Sequence, residues 1–129
     1  MKGVFMTINK PGIVIMLLAQ LMAVAATGFG DVPPVQKPEV EHLISYLANT
    51  NCVMIRNGKK HDGEEAAKHV RRKYDHFRDD IGSTEEFIQY SATKSLLSSK
   101  LYQVQCPGEP AVNSRDWLLA ELDSYRQGQ

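Results

Sequence analysis

Cys52-Val53-Met54-Ile55-Arg56-Asn57-Gly58 and Leu101-Tyr102-Gln103-Val104-Gln105-Cys106 decide the fold between them. The first run is rich in β-formers and stops at Asn57-Gly58, a turn signal. The second alternates, with Tyr102, Val104 and Cys106 on one side, and halts at Pro107-Gly108-Glu109-Pro110. If the two cysteines pair across neighbouring strands, the strands must be antiparallel. That register sets Met54 opposite Val104 and Arg56 opposite Tyr102. A parallel arrangement would leave the cysteines at opposite ends.

Helical patterns surround these strands. Val40, Leu43, Ile44, Leu47 and Ala48 recur at helical spacing before Asn49-Thr50-Asn51. Lys59 to Asp62 reads as a charged loop. Asp62 with Glu65 makes a capping box for a second helix, whose apolar stripe is Ala66, Val70, Tyr74 and Phe77. Ser83 with Glu86 opens a third, which puts Phe87, Ile88, Ser91, Ala92 and Ser95 on one face. Ser98-Ser99-Lys100 is a loop. Asn113 or Ser114 caps a last helix bearing Trp117, Leu118, Leu122 and Tyr125. The expected class is α+β and mostly helical: four helices in the order α-β-α-α-β-α, a minimal two-stranded antiparallel sheet and one disulfide.

The amino terminus bears on the compartment. Lys2 and Lys10 precede the apolar run Ile13 to Ala26, which ends in small residues that fit export cleavage. The run is shorter than the roughly 20 residues a bilayer span needs. Residues 1–26 are therefore expected to be a cleaved signal peptide, with an inner-membrane anchor over 13–30 as the alternative. Residues 27–38, with three prolines in Asp31 to Pro38, read as a spacer of extended backbone. Residues 39–127 read as a single small globular domain.

A domain this small buries a limited share of its surface, so a covalent staple would help it. In an exported chain an even cysteine count reads as a disulfide, here Cys52 with Cys106; free buried thiols are the alternative. The 15 basic and 15 acidic residues balance, which gives no footprint for nucleic acid or for strong attraction to anionic lipid.

Strong motifs for catalysis or metal binding are lacking. His42, His61, His69 and His76 show no H-E-x-x-H spacing, and a solvated polar helix face accounts for His69 and His76. No serine lies in a G-x-S-x-G elbow. A disulfide removes the cysteines as nucleophiles. Arg56, Asn57 and Gly58 are more distinctive: a strand ends by presenting a guanidinium and an amide. His69 and Lys73, one turn apart on the next helix, can join them as donors for an anionic group. The competing reading has Arg56 pair with Glu65 and fix the turn.

Cys52 to Gly58, then Glu65-Ala66-Ala67-Lys68-His69-Val70 and Lys73-Tyr74, resembles a family of small exported bacterial proteins of unknown function that includes YfeK. Thr84-Glu85-Glu86-Phe87-Ile88 and Ser98-Ser99-Lys100-Leu101-Tyr102 continue the pattern. The resemblance spans about Val40 to Arg126. Relatives often carry glycine in the serine loop, where this chain has Ser99-Lys100. The resemblance implies a periplasmic location in a Gram-negative cell and carries no activity with it.

The resulting expectation is a periplasmic binding or accessory module of the cell envelope. It has no catalytic residue, metal or cofactor. Arg56, Asn57, His69 and Lys73 are its ligand-binding candidates, and its partner is an envelope protein or a small anionic ligand. Nucleic acid and a stable membrane anchor after cleavage are not expected. The alternative is a small hydrolase-like envelope enzyme using His69, Arg56 and the Ser95–Ser99 loop. Clustering of those side chains in one concave pocket would favour the enzyme. Export itself is checked by intact mass: periplasmic extract should contain a chain starting near Ala26 or Thr27, and a full-length mass confined to membranes would refute cleavage.

Overall fold

A computed structural model describes residues 30–129. The expected signal peptide or anchor lies outside the described residues. Among those residues the elements run α1 (Lys37–Asn49), β1 (Val53–Arg56), β2 (Lys59–His61), α2 (Gly63–Phe77), α3 (Thr84–Ser91), β3 (Gln103–Gln105), β4 (Val112–Asn113) and α4 (Ser114–Gln127). None of these helices is long and apolar enough to cross a membrane.

The central pair is β1 and β3, antiparallel, with Met54 opposite Val104 as the cysteine pairing requires. Cys52 and Cys106 form a disulfide just beyond the ladder. The sheet has four strands rather than two, in the order β2-β1-β3-β4, antiparallel throughout. The stretch read as a charged loop is β2. Asn57 and Gly58 both take positive φ, +52° and +79°, forming a two-residue turn whose twist matches the strands it joins. Arg56 therefore meets Lys59 directly. Lysines suit this position because β2 is an edge strand, where charge discourages pairing with another chain. The other edge, β4, is two residues long, too short for any periodicity to register.

Met54 and Val104 are buried with Leu43, Leu47, Val70, Ile81, Phe87, Ile88 and Leu118 in one core. The start of α2 lies against the end of α1. A Cβ on Gly63 would stand 2.3 Å from the Leu47 carbonyl oxygen, so only glycine permits this approach. Asp62 caps α2 by accepting from the Glu65 N–H. Ser83 likewise caps α3 through the Glu86 N–H, while the Glu86 carboxylate reaches Gly82 N rather than closing back on Ser83.

Two further expectations need correction. The proline-rich stretch is not extended throughout. Pro34–Gln36 is a 3-10 turn, and Pro38 lies in the first turn of α1, where its missing N–H has no intrahelical partner to lose. Val32 is buried, and Asp31 accepts from its own neighbour's N–H, from the Tyr74 hydroxyl and from Arg78, pinning this stretch to α2. Burial opposes ionisation of Asp31, but these donors and Lys37 outweigh it and hold the carboxyl at about 2.

The third helix ends early. The Thr93 hydroxyl donates to the Ile88 carbonyl, and Ala92 leaves helical geometry. Ser95 thus belongs to the following loop and not to a helix face.

The disulfide closes a separation of 54 residues. Cross-linking a loop of that size removes about 4 kcal/mol of chain entropy from the unfolded state. Cys106→Ser should therefore lower unfolding free energy by about 2–5 kcal/mol in a denaturant titration. An unchanged midpoint would show that the staple is dispensable.

Candidate functional site

At the turn end of the β1–β2 hairpin, three elements converge. β1 contributes Arg56, the turn contributes Asn57, and α2 contributes His69 and Lys73 from one face. The loop between α3 and β3 closes the fourth side with Ser95 and Leu96. Together they line a cavity of about 300 Å³. All four residues singled out as ligand-binding candidates line it. Its floor is Tyr102, which the sequence reading placed opposite Arg56 only as a packing partner. The Tyr102 hydroxyl lies 3.1 Å from His69 Nε2 and accepts from Lys73 Nζ at 3.4 Å. Lys73 also lies over the Tyr102 ring, 4.9 Å from its centroid, and donates to the Lys94 carbonyl at 2.7 Å.

The charges here are unbalanced. Arg56 has no ion-pair partner among the described residues, and its Nε is buried without a hydrogen bond. The alternative partner, Glu65, instead faces His61 Nδ1 at 3.5 Å. An Arg56–Glu65 pair fixing the turn is therefore overturned. Burial, followed by Arg56 and Lys94, lowers the Lys73 ammonium to about 8. Burial, followed by Arg56, Lys73, Arg72 and His61, holds His69 at about 4, so its ring is neutral at pH 7. Burial also raises the Tyr102 hydroxyl, which stays protonated.

The remaining wall is a hydrogen-bonded loop. Ser95 N–H donates to the Lys100 carbonyl and Ser99 N–H to the Ser95 carbonyl, each at 3.0 Å. Ser95 Oγ accepts from the N–H groups of Leu97 at 3.2 Å and Ser98 at 3.3 Å. Asn57 Nδ2 donates to the same Oγ, and Ser98 Oγ donates to Asn57 Oδ1, so turn and loop are locked together. Of the serines in the hydrolase alternative, Ser95 reaches the pocket with Arg56 and His69. Its oxygen is engaged by these three donors, and no serine–histidine hydrogen bond occurs among the described residues.

Other depressions differ in chemistry. The groove of about 380 Å³ between α1 and α2 has Ile44, Ala48 and Ala67 along it, but its Lys68 and Arg71 are paired with Glu64 and Glu41. Among the described residues no three His, Cys, Asp or Glu side chains gather to hold a metal ion.

The chain belongs to a family of unknown function, DUF5329, which matches residues 34–126. It is also 31% identical over 68 residues to the uncharacterized protein YfeK of Salmonella typhimurium strain LT2. That match covers 52% of this chain and 57% of YfeK, so the chain spans little more than half the length of this relative. No solved structure matches.

Ser99 occupies the left-handed region with φ +62°. The tight turn is thus made without glycine, at a conformational cost of about 1 kcal/mol for an L-residue. Ser99→Gly should recover a few tenths to 1 kcal/mol, because glycine's larger unfolded-state entropy offsets part of the gain. Thermal unfolding reads the sign, and a destabilised variant would show that the Ser99 side chain contributes to the loop.

Proposed function

We propose that this protein is a periplasmic binding module whose pocket takes a small oxyanion, a carboxylate or phosphate group, between Arg56 and Lys73. The supporting observation is the pocket's charge: a guanidinium and an ammonium at one cavity, neither paired with a carboxylate among the described residues. Burial first and the neighbouring cations second lower Lys73, and an anion would relieve the part that comes from the like charges. Arg56 would supply planar, paired donors, and Asn57 and Tyr102 would orient further oxygens. Neutral His69 keeps the total positive charge small enough for the empty pocket to fold.

A disulfide is compatible with an oxidising compartment, and it supports the export reading. The binding reading is preferred to hydrolysis because Ser95 Oγ is occupied in building the loop and, among the described residues, no carboxylate hydrogen-bonds His69 to orient it.

Inorganic sulfate is a suitable probe because it does not titrate near neutrality. At ten times its dissociation constant it should raise unfolding free energy by about 1.4 kcal/mol. Arg56→Ala should weaken binding by roughly tenfold or more without lowering the melting temperature of the free protein. Equal loss of stability and binding would make Arg56 structural. The sign with pH follows from Lys73, which faces Arg56, Lys94, His69 and Tyr102. An anion raises its pKa above about 8, so affinity should fall as pH rises through that value. Lys73→Met should remove this slope. A flat calorimetric profile in the unaltered protein would remove Lys73 from the site.

A further inference from the structure

The loop that walls the pocket also carries three leucines that the fold leaves in water. Leu96 is 62% exposed, Leu97 98% and Leu101 51%. The expected fate of such side chains in a mobile loop is partial collapse onto the surface. This loop is instead braced by the Ser95 and Ser98 hydrogen bonds and by a bridge between Lys94 and Leu101, which hold the leucines outward. Lys94 and Lys100 flank Leu96 and Leu97 in sequence, and Lys59 shares its sheet face with Arg56 across the locked turn. None of these lysines has an ion-pair partner among the described residues. The balanced overall charge therefore hides a local segregation: an apolar tip with a basic collar.

We propose that this tip docks on the surface of an anionic phospholipid bilayer, with Leu96 and Leu97 entering the headgroup–acyl boundary and Lys59, Lys94 and Lys100 facing lipid phosphates. The charge of the collar decides the occupant, because lysines beside exposed leucines complement an acidic interface. Size agrees. A stable protein partner needs roughly 800 Å² on each side, more than a single loop tip presents, whereas a bilayer accepts a narrow wedge. Tyr90, 38% exposed in the adjoining depression with Leu96, has the amphipathic character suited to headgroup depth. The proposal does not depend on the oxyanion reading: Leu96 and Leu97 rim the same pocket, but the collar lysines Lys59, Lys94 and Lys100 do not line it.

The test must report on the tip and not on the amino-terminal apolar run. Leu97→Trp, in a Trp117→Phe background with its melting temperature checked, places a fluorophore at the tip. With phosphatidylglycerol vesicles its emission should shift to the blue, and lipids brominated on the acyl chain should quench it. Phosphatidylcholine vesicles and sodium phosphate alone should leave the spectrum unchanged. Lys59→Gln with Lys100→Gln should weaken the response at least tenfold, at roughly fivefold for each lysine, and added salt should act in the same direction. Arg56→Ala should weaken sulfate binding by roughly tenfold or more yet leave the vesicle response, which separates failure of the pocket from failure of the tip. An unshifted spectrum with phosphatidylglycerol, whether the chain is vesicle-bound or free, overturns the proposal. An equal response to phosphatidylcholine overturns the role of the collar.

Discussion

The register between β1 and β3 is the constraint on which the rest of the structure depends. Met54 opposite Val104 buries one face of the central pair, and the Cys52–Cys106 bond holds that pairing from its end. Side chains alternate along a strand, so a slip of one residue would turn Met54 out of the core and send Arg56 to the opposite face. It would also move Asn57 away from Ser95 and Ser98, unlocking the turn from the loop. Core and pocket are thus built from one backbone alignment. The disulfide acts on the unfolded state by shortening the search, and in the folded state it keeps the one register that forms the pocket.

Charge is handled differently at the two ends of the molecule. At the α1–α3–α4 end, Arg126 binds both Glu39 and Glu85, at 2.6 and 2.7 Å, and Glu39 also accepts from the Thr84 hydroxyl. Beside α2, Asp31 gathers Lys37, Arg78 and the Tyr74 hydroxyl. These acids each serve several donors, and the pairing lowers Glu39, Glu85 and Asp31. At the hairpin end the donors outnumber the acceptors. Lys73 uses Tyr102 and the Lys94 carbonyl, and Arg56 uses Tyr102, in place of carboxylates. A chain able to satisfy arginines so fully elsewhere has not done so here. The lowered Lys73 and His69 are the free-energy cost of that choice.

What was legible in the sequence follows the range of the interactions. Asp62 and Ser83 cap helices through contacts three residues away, so local pattern is enough to find them. The β1–β3 register came from a covalent constraint, the cysteine pair, and that constraint also placed Tyr102 beside Arg56. Its role as the pocket floor was hidden because a tyrosine in a strand ordinarily signals packing. β2 was hidden because an edge strand uses lysines, which composition assigns to loops, although Asn57-Gly58 is the turn that creates it. Ser95 was misplaced because its helical spacing continued past Ala92, while the competing Thr93–Ile88 hydrogen bond cannot be seen in an apolar pattern. The pocket's convergence of α2, the hairpin and the 95–101 loop is tertiary. The sequence supplied its donors but not the wall that faces them.

The loop explains why serines, and not glycines, build that wall. A glycine-rich turn would accept the Ser99 backbone without strain, but it would leave the leucines free to fold back. Ser95 uses one oxygen to hold two backbone N–H groups and the Asn57 amide, and Ser98 returns a hydrogen bond to the turn. That bracing removes most of the conformational freedom that ordering on contact would otherwise cost. It also fixes the distance between Leu96, which lines the pocket mouth, and the cations behind it. Any surface that covers the leucines must therefore face the mouth of the basic pocket. An apolar surface without charge would bury the leucines but leave Lys59, Lys94 and Lys100 beside it desolvated and unpaired. A surface bearing oxyanions satisfies both, and the same braced loop thus selects against neutral contacts while presenting its leucines to acidic ones.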